Sequence, residues 1–249
     1  MRVLGVIPAR LGSTRLPHKP LQLLAGEPLI TRVIERVLDH GVVNELVVAT
    51  DSTRVADVVK RFRVRPVMTG HSHLTGTDRV AEVAGRPEFG QFDAILNVQG
   101  DEPFLSREAL VGALLRVEQG DDIGTSAAPL APALAHDSNR VKVVTDARGR
   151  ALYFSRALIP HNREADAAGD GLYWQHIGIY AYTREAIARW VTLTPSPAEQ
   201  AERLEQLRGL YHGMTIGVAR LEHSVFPGID TPEDLQRAEA HWHAYQGQV

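Results

Sequence analysis

Short apolar runs alternate with amphipathic segments over roughly the first half of the chain, and this alternation is the feature that most restricts the fold. The runs span residues 3–7, 46–50, 65–69 and 93–98. Apolar runs of this length are typical of buried strands, whereas the segments between them place apolar residues at helical spacing. A β-α-β-α order predicts a mostly parallel sheet with helices on both faces and right-handed crossovers. We therefore expect a three-layer α/β/α, Rossmann-like fold.

The pattern changes in the second half of the chain, where strands follow one another with few helices between them. Strands are expected at residues 123–130, 141–145, 151–155 and 173–182, with Asp146 to Gly149 as a hairpin turn. Helices are expected at residues 184–191 and 201–211, and a last one begins at Thr231, which is followed by Pro232. This predicts one domain over residues 1–249, with a β-rich lobe inserted at about residues 140–185.

Composition limits the kind of partner the protein can have. The 249 residues include 27 Lys and Arg against 30 Asp and Glu, so the chain is close to neutral. Nucleic-acid binding calls for a clearly basic face, and no stretch is apolar enough for a membrane span or a signal peptide. We expect a cytoplasmic protein with no nucleic-acid partner and no membrane attachment. The absence of cysteine excludes disulfides and a cysteine nucleophile.

The loop after the first strand, residues 8–20, contains three cations, a glycine and hydroxyl side chains. Arg10, Ser13, Arg15 and Lys19 are the types of residue that bind polyphosphate, through fixed positive charge and hydroxyl donors. The loop matches neither the Walker pattern nor the dinucleotide-binding glycine pattern. The alternative is that these charges are ordinary solvated loop residues.

Two aspartates lie in segments that are expected to approach this cationic loop. Ligands bind outside the carboxyl ends of parallel strands, so the loops at residues 8–20, 71–79 and 99–103 are expected to converge. Asp101 lies in the last of them, and Asp230 directly precedes the final helix. Two carboxylates suit Mg²⁺, which takes few protein ligands and keeps phosphate oxygens and water as the others. Taken singly, Asp101 could be a turn former and Asp230 a helix cap; beside a cationic loop the metal hypothesis is favoured.

Other residues admit both a binding role and a structural one. His176, within a predicted strand, is either a satisfied strand residue or a hydrogen-bonding group for a substrate. Arg156 is either a bidentate clamp on a carboxylate or part of a surface salt bridge. Glu205 and Gln206 are interpreted as the polar face of a helix when taken alone. The other histidines form no metal-binding pattern, and His71, His73, His241 and His243 are predicted to be solvated.

Together these motifs resemble the CMP-sugar synthetases, and closely the 3-deoxy-manno-octulosonate (Kdo) cytidylyltransferase family. The resemblance rests on segments that occur in family order across nearly the whole chain. They are Ile7-Pro8-Ala9-Arg10, Ser13-Thr14-Arg15-Leu16-Pro17, Lys19-Pro20, Val48-Ala49-Thr50-Asp51, Thr75-Gly76-Thr77-Asp78-Arg79, Asn97-Val98-Gln99-Gly100-Asp101-Glu102-Pro103, Val141-Lys142-Val143-Val144, Leu152-Tyr153-Phe154-Ser155-Arg156, His176-Ile177-Gly178-Ile179-Tyr180, Leu204-Glu205-Gln206-Leu207-Arg208 and Ile229-Asp230-Thr231-Pro232.

The resemblance implies transfer of CMP from CTP to the anomeric 2-hydroxyl of a 2-keto sugar acid, with release of pyrophosphate, for lipopolysaccharide biosynthesis. It implies Mg²⁺ as cofactor and a homodimer formed through the β-rich lobe. Carried over by position, the nucleotide-binding residues are Arg10, Ser13, Arg15, Lys19, Thr77, Arg79 and Gln99, and the metal ligands are Asp101 and Asp230. The implied sugar-binding residues are Gln99, Arg156, His176, Tyr180, Glu205 and Gln206. Lys19, Arg10, Asp101 and Asp230 are the implied catalytic residues.

The implied reaction is an in-line attack on the α-phosphate, which needs charge neutralisation and no enzyme nucleophile. Residues 161–164 and 224–229 depart from the family pattern, so the acceptor stays open between Kdo, its 8-amino analogue and another 2-keto sugar acid. Another sugar nucleotidyltransferase of the same fold is the nearest alternative. An NAD-dependent oxidoreductase is disfavoured by the missing glycine pattern, and a non-catalytic nucleotide-binding protein by the joint presence of Lys19, Asp101 and Asp230.

Overall fold

The computed structural model describes residues 1–13, 15–73, 75–163 and 171–246, with side chains up to Trp242 in the last helix. Thr14 and Glu164 of the motifs above, the side chain of His243 and part of the predicted β-rich lobe lie outside the described residues. The strands are β1 (Val3–Ala9), β2 (Leu23–Leu24), β3 (Glu27–Pro28), β4 (Glu45–Thr50), β5 (Arg65–Met68), β6 (Ala94–Asn97), β7 (Ile123–Leu130), β8 (Lys142–Thr145), β9 (Ala151–Ser155), β10 (Tyr173–Thr183) and β11 (Ile216–Arg220). The helices are α1 (Leu29–His40), α2 (Thr53–Val59), α3 (Gly76–Ala84), α4 (Arg107–Glu118), α5 (Arg184–Trp190), α6 (Pro197–Glu202), α7 (Gln206–Tyr211) and α8 (Pro232–Gln246).

The chain forms two compact units. The amino-terminal unit comprises residues 2–92, 97–106 and 226–249, and the central unit comprises residues 93–96 and 107–225 together with Met1. The single domain with an inserted β-rich lobe therefore stays a prediction, and each unit is described by itself.

The amino-terminal unit is built on three parallel strands. β4 pairs with β1 on one side and with β5 on the other. Nearly every residue of β1 is buried, which explains its uninterrupted apolar sequence. The prediction that Pro8 ends this strand is wrong, because pairing continues through Pro8 to Ala9. Helix α1 ends at Gly41, whose φ of 61° is the left-handed conformation that glycine adopts most readily.

The central unit contains both parallel and antiparallel strand pairs. β7 pairs in parallel with β11 and antiparallel with β10, while β8 and β9 form the predicted antiparallel hairpin. The predicted single helix at residues 201–211 is wrong, since α6 and α7 are separate short helices. A capping box of Ser196 and Glu199 starts α6 early, and Arg203 in the left-handed conformation ends it.

In the described part of the chain, no helix is both long and apolar enough to cross a bilayer.

Candidate active site

Lys19 lies at the centre of a charged cluster in the amino-terminal unit. It follows β1 and its loop, in a short 3₁₀ turn of residues Lys19–Leu21, and only 16% of its side chain is exposed. Its Nζ donates to Asp230 Oδ1 at 2.7 Å and to Asp101 Oδ2. Arg15 Nη2 lies 3.1 Å from the other oxygen of Asp230. The structure thus brings together four of the residues predicted for phosphate and metal binding.

The loops of the two aspartates are joined directly to each other. The backbone N–H of Ile229 donates to the carbonyl oxygen of Asp101 at 2.9 Å. Gly228 is a glycine for steric reasons, because a Cβ there would lie 2.8 Å from Glu102 Oε1 and 3.3 Å from the carbonyl oxygen of Asp101. These contacts hold the two carboxylates close to Lys19 although they are far apart in sequence.

Asp230 is not the cap of the final helix. Thr231 Oγ1 accepts from the backbone N–H of Asp234 at 3.1 Å, and Asp234 Oδ2 accepts from the backbone N–H groups of Asp230 and Thr231. This capping box leaves the carboxylate of Asp230 to the two cations, Lys19 and Arg15.

The cluster shifts the ionisation of two of its members. Burial alone would lower the pKa of the Lys19 ammonium, but the carboxylates of Asp101 and Asp230 outweigh this effect and the pKa is raised. Removal from water raises the pKa of the Glu102 carboxyl to about 8, reinforced by the charges of Asp101 and Asp230 and opposed by Lys19. Lys19 is therefore charged at neutral pH, whereas Glu102 is mostly protonated.

The three loops predicted to converge do so. A Cβ on Gly76 would lie 3.5 Å from Pro8 Cγ and 3.8 Å from Gln99 Oε1. A Cβ on Gly100 would lie 3.2 Å from the carbonyl oxygen of Pro8, so this glycine permits close packing of the loops on one another. Gln99 donates from Nε2 to Asn97 Oδ1 at 3.3 Å.

The remaining residues predicted to bind the nucleotide differ in how exposed they are and in the hydrogen bonds they already make. Arg10 is exposed, and Ser13 Oγ accepts only a long hydrogen bond of 3.4 Å from the backbone N–H of Leu16. Thr77 is buried in the first turn of α3. Arg79 is also buried, and its guanidinium donates to Asp51 Oδ2 at 2.9 Å and to Thr69 Oγ1. Its structural contribution is to fix the end of β4 against α3.

Of the six predicted sugar-binding residues, Gln99 lies in the amino-terminal unit, and the other five lie in the central unit. His176 and Tyr180 both belong to β10, with ring centroids 5.3 Å apart, and Phe154 packs edge-on against the histidine at 5.0 Å. Burial lowers the pKa of His176 to about 3 and raises that of Tyr180 well above its ordinary value, so both side chains are neutral at physiological pH.

Arg156 is held by main-chain acceptors. Its Nε donates to the carbonyl oxygen of Glu202 at 2.8 Å and its Nη1 to that of Ser138 at 3.1 Å. The backbone carbonyl of Arg156 accepts from the buried ammonium of Lys142 at 2.6 Å. The salt-bridge alternative finds no support, because among the described residues no carboxylate forms an ion pair with this guanidinium.

Glu205 and Gln206 lie where α7 begins, with Glu205 at the N-cap and Gln206 buried in the first turn. The interpretation of Gln206 as part of a solvated polar face is therefore wrong. Arg208, the last residue of the motif that spans residues 204–208, is buried and forms an ion pair with Glu199 at 2.5 Å. That these residues act on one substrate together with the amino-terminal cluster stays a prediction.

Sequence reasoning assigned no role to Glu102 and left the aromatic residues beside the cluster unexplained. The ring of Phe226 stacks on His241 with centroids 4.5 Å apart and an angle of 11° between the planes. The prediction that His241 is solvated is therefore wrong. The sequence did contain a partial signal for Phe226, because Phe226 lies in residues 224–229, one of the two segments that depart from the family pattern.

The donor set of the cluster fits a hard divalent cation such as Mg²⁺. One ammonium, Lys19 Nζ, already holds an oxygen from each aspartate, so the two carboxylates converge on a single positive centre. In the part of the chain that the structure describes, no group of three or more His, Cys, Asp and Glu forms a closed metal cage. Two carboxylates with open positions are the arrangement by which Mg²⁺ is held beside substrate phosphates.

Comparisons with known proteins agree with this geometry. A family model described as Cytidylyltransferase matches residues 4–216. A 3-deoxy-manno-octulosonate cytidylyltransferase of Gemmatimonas aurantiaca is 53% identical over 97% of this chain and 95% of its own. The enzyme of the same name from Methylococcus capsulatus is 49% identical over 95% of each chain. The solved structure of a CMP:2-keto-3-deoxy-manno-octonic acid synthetase complexed with CTP is 39% identical, covers 98% of this chain and 99% of its own, and superposes with a TM-score of 0.90.

The fold and the charged cluster define a nucleotidyltransferase, and the predicted α/β nucleotidyltransferase fold with a mixed, mostly parallel sheet is confirmed. Nucleotidyltransferases of this type generally use a divalent metal ion. Within that class the chain belongs to the 3-deoxy-manno-octulosonate cytidylyltransferase family.

Proposed function

We propose that the protein transfers CMP from CTP to the anomeric 2-hydroxyl of Kdo, giving CMP-Kdo and pyrophosphate, as a step of lipopolysaccharide biosynthesis. The observation that supports this most directly is the Lys19 cluster. Its two carboxylates and two cations balance each other, with Lys19 bound to both Asp101 and Asp230 and Arg15 bound to Asp230. A triphosphate that arrives with a divalent cation would meet carboxylates for the metal and cations for the phosphates.

In the proposed reaction the 2-hydroxyl oxygen of the sugar attacks the α-phosphorus of CTP. The new oxygen–phosphorus bond forms as the bond to the bridging oxygen of the β-phosphate breaks, and the hydroxyl proton is lost. Pyrophosphate leaves with the negative charge. Lys19 and Arg15, together with the exposed Arg10, would bind the phosphate oxygens and neutralise the charge that develops there.

We propose Mg²⁺ as the metal, with Asp101 and Asp230 as its protein ligands. When bound, it would neutralise phosphate charge and lower the pKa of the attacking hydroxyl. Lys19 and Arg15 would then exchange their carboxylate partners for phosphate oxygens. The position of Gln99 beside Gly76 supports a role for Gln99 and Thr77 next to the nucleotide.

For the sugar acid we propose binding by Arg156, His176, Tyr180, Glu205 and Gln206. The guanidinium of Arg156 is oriented by two carbonyl oxygens, and no described residue accepts from its Nη2, which suits a carboxylate ligand. His176 and Tyr180 are neutral polar groups suited to sugar hydroxyls. The experiment below separates Kdo from the two alternative acceptors, its 8-amino analogue and another 2-keto sugar acid.

We further propose that the protein is a cytoplasmic homodimer that contacts neither membrane nor nucleic acid. β9 pairs only with β8 among the described strands, and it exposes 62% of Leu152 and 37% of Tyr153. An edge strand with exposed apolar side chains supports a subunit interface at this hairpin, in the region of the predicted β-rich lobe.

Pyrophosphate release measured over a grid of four nucleoside triphosphates and several sugar acids tests the proposal. The expected result is turnover with CTP and Kdo that depends on added Mg²⁺ and stops on chelation. Faster turnover with the 8-amino analogue would reassign the acceptor. Turnover with a different nucleotide, or none with any 2-keto sugar acid, would contradict the proposed function.

A further inference from the structure

The hydroxyl of Thr125 lies at an irregularity in the strand that contains His176. β10 pairs with β7 at Ile177 opposite Ser126, and pairing resumes at Tyr180 opposite Thr125, so two residues of β10 are unmatched. Thr125 is fully buried. Its Oγ1 lies 2.7 Å from the carbonyl oxygen of Ile179 and 3.2 Å from that of Ile177. Two main-chain carbonyl oxygens at the irregularity are therefore within hydrogen-bond distance of this single hydroxyl donor.

The same oxygen lies 3.1 Å from Nε2 of His176, and this third contact determines which nitrogen bears the proton. A threonine hydroxyl has one hydrogen to donate and two lone pairs. Both carbonyl oxygens can only accept, and the shorter contact, to Ile179, takes the hydrogen. Nε2 must then donate to the hydroxyl oxygen. Since burial keeps this imidazole neutral, Nδ1 is left with a lone pair.

Nδ1 is the nitrogen left for a ligand. No described residue forms a hydrogen bond with Nδ1. The side-chain polar atoms that are both fully buried and unpaired in the described part of the chain belong to other residues. His176 is partly exposed, and Tyr180 lies beside it. In a regular strand, residues four positions apart are separated by about 13 Å. His176 and Tyr180 stand on either side of the irregularity, and their ring centroids lie 5.3 Å apart.

We infer that Thr125 is a positioning residue for the sugar site, which holds His176 as the Nε2–H tautomer so that Nδ1 accepts a hydrogen bond from a hydroxyl or ammonium group of the sugar acid. This inference rests on the proposed function for the identity of the ligand, but the tautomer can be tested without any ligand. It excludes His176 as a donor to the sugar carboxylate, for which Arg156 is suited.

The first test is the tautomer of His176 in the folded enzyme without substrate, measured by long-range ¹H–¹⁵N correlation on protein labelled at histidine. A His176→Asn variant identifies the signal among the eleven histidines. A protonated Nε2 with an unprotonated Nδ1 is expected. A protonated Nδ1, or a doubly protonated ring at neutral pH, would overturn the inference whatever the acceptor of the enzyme proves to be.

The second test compares Thr125→Val, which keeps the shape and removes the hydroxyl, with Thr125→Ser, which keeps the hydroxyl. We expect Thr125→Val to mix the tautomers and to raise KM for the sugar acid about tenfold, with KM for CTP within about twofold of the parent value. Thr125→Ser should retain the parent tautomer and KM. The control is Thr192→Val, which removes an exposed hydroxyl bound to the carbonyl oxygen of Arg189.

The outcomes separate this inference from the proposed function. An unchanged tautomer and an unchanged KM for the sugar acid in folded Thr125→Val would overturn the inference while the parent enzyme still used Kdo. Should Thr125→Val not fold, the parent tautomer and Thr125→Ser still decide the question. Absence of turnover with Kdo in the parent enzyme would contradict the proposed function and leave the tautomer result standing.

Discussion

The ring of Phe104 lies 4.5 Å, centroid to centroid, from the ring of Phe226. Phe104 follows Asp101 in its loop, and Phe226 precedes Asp230 in the other. His241 of α8 contacts both rings: it stacks on Phe226 at 4.5 Å and meets Phe104 edge-on at 5.3 Å. Three aromatic side chains therefore join the loops of both aspartates to the final helix, so their packing contributes to the separation of the two carboxylates.

Replacing Phe226 by alanine should weaken the metal site as well as the fold. We expect a loss of about 2 kcal/mol in the free energy of unfolding, less than for a fully buried phenylalanine because Phe226 is only partly buried. We also expect the Mg²⁺ concentration for half-maximal activity to rise, because the Asp230 loop loses the aromatic part of its contact with the Asp101 loop. Urea unfolding and Mg²⁺ titration measure the two effects. Tyr211→Ala, at a ring 64% exposed, is the control, and an unchanged Mg²⁺ requirement in Phe226→Ala would contradict the coupling.

Gly228→Ala should impair activity more than stability. A Cβ at this position would lie 2.8 Å from Glu102 Oε1 and 3.3 Å from the Asp101 carbonyl oxygen, so the Glu102 side chain and the Asp101 backbone must both shift. We expect turnover to fall about tenfold or more, since a displacement of about 1 Å at a reacting centre has effects of this size. Gly70→Ala, where neighbouring atoms lie at 3.6 Å or beyond, should keep parent turnover. Equal turnover of both variants would show that the loops tolerate separation.

Lys19→Ala and Asp101→Ala should each lower turnover by roughly 10²-fold or more with the fold intact, because each removes a charge that the phosphoryl transfer needs. Steady-state pyrophosphate release measures the loss, and circular dichroism checks the fold. Lys60→Ala is the matched control, since Lys60 is an exposed lysine paired with Asp57 at 3.0 Å. Near-parent turnover in folded Lys19→Ala would rule out its proposed role.

Glu82→Gln should destabilise the protein at neutral pH and much less in acid. Although burial opposes the shift, hydrogen bonds from His73, from the backbone N–H of Gly70 and from Arg86 lower the pKa of Glu82 to about 2, from an ordinary 4.5. A depressed carboxyl pKa stabilises the folded state above about pH 4.5, and this contribution is lost as the pH falls toward 2.

Allowing for solvent screening, we expect a difference of about 1 kcal/mol in unfolding free energy at pH 7 that shrinks by pH 3. Urea unfolding at several pH values is the measurement, with Asp57→Asn as the exposed control. A difference that grows toward low pH would contradict the assignment.

Much of the fold could be predicted because its causes are local. The apolar runs of β1, β4 and β5 and the start of the final helix at Thr231 are each specified by residues within a few positions. Prediction failed where two local signals competed. The capping box at Ser196 starts α6 before residue 201, and Arg203 ends it in the left-handed conformation within an otherwise helical pattern.

The candidate site could be predicted as a set of residues but not as an arrangement. The sequence by itself determined the succession of strands and helices along much of the chain and which loops contain cations and carboxylates, because periodicity and capping act over one or two turns of chain. Only the tertiary structure decided that Lys19 meets Asp230 across 211 residues, that Glu102 is displaced from water against Gly228, and that Thr125 fixes the proton of His176. Such relationships depend on distances between segments remote in sequence, and these distances are set by packing of the whole unit rather than by any local preference.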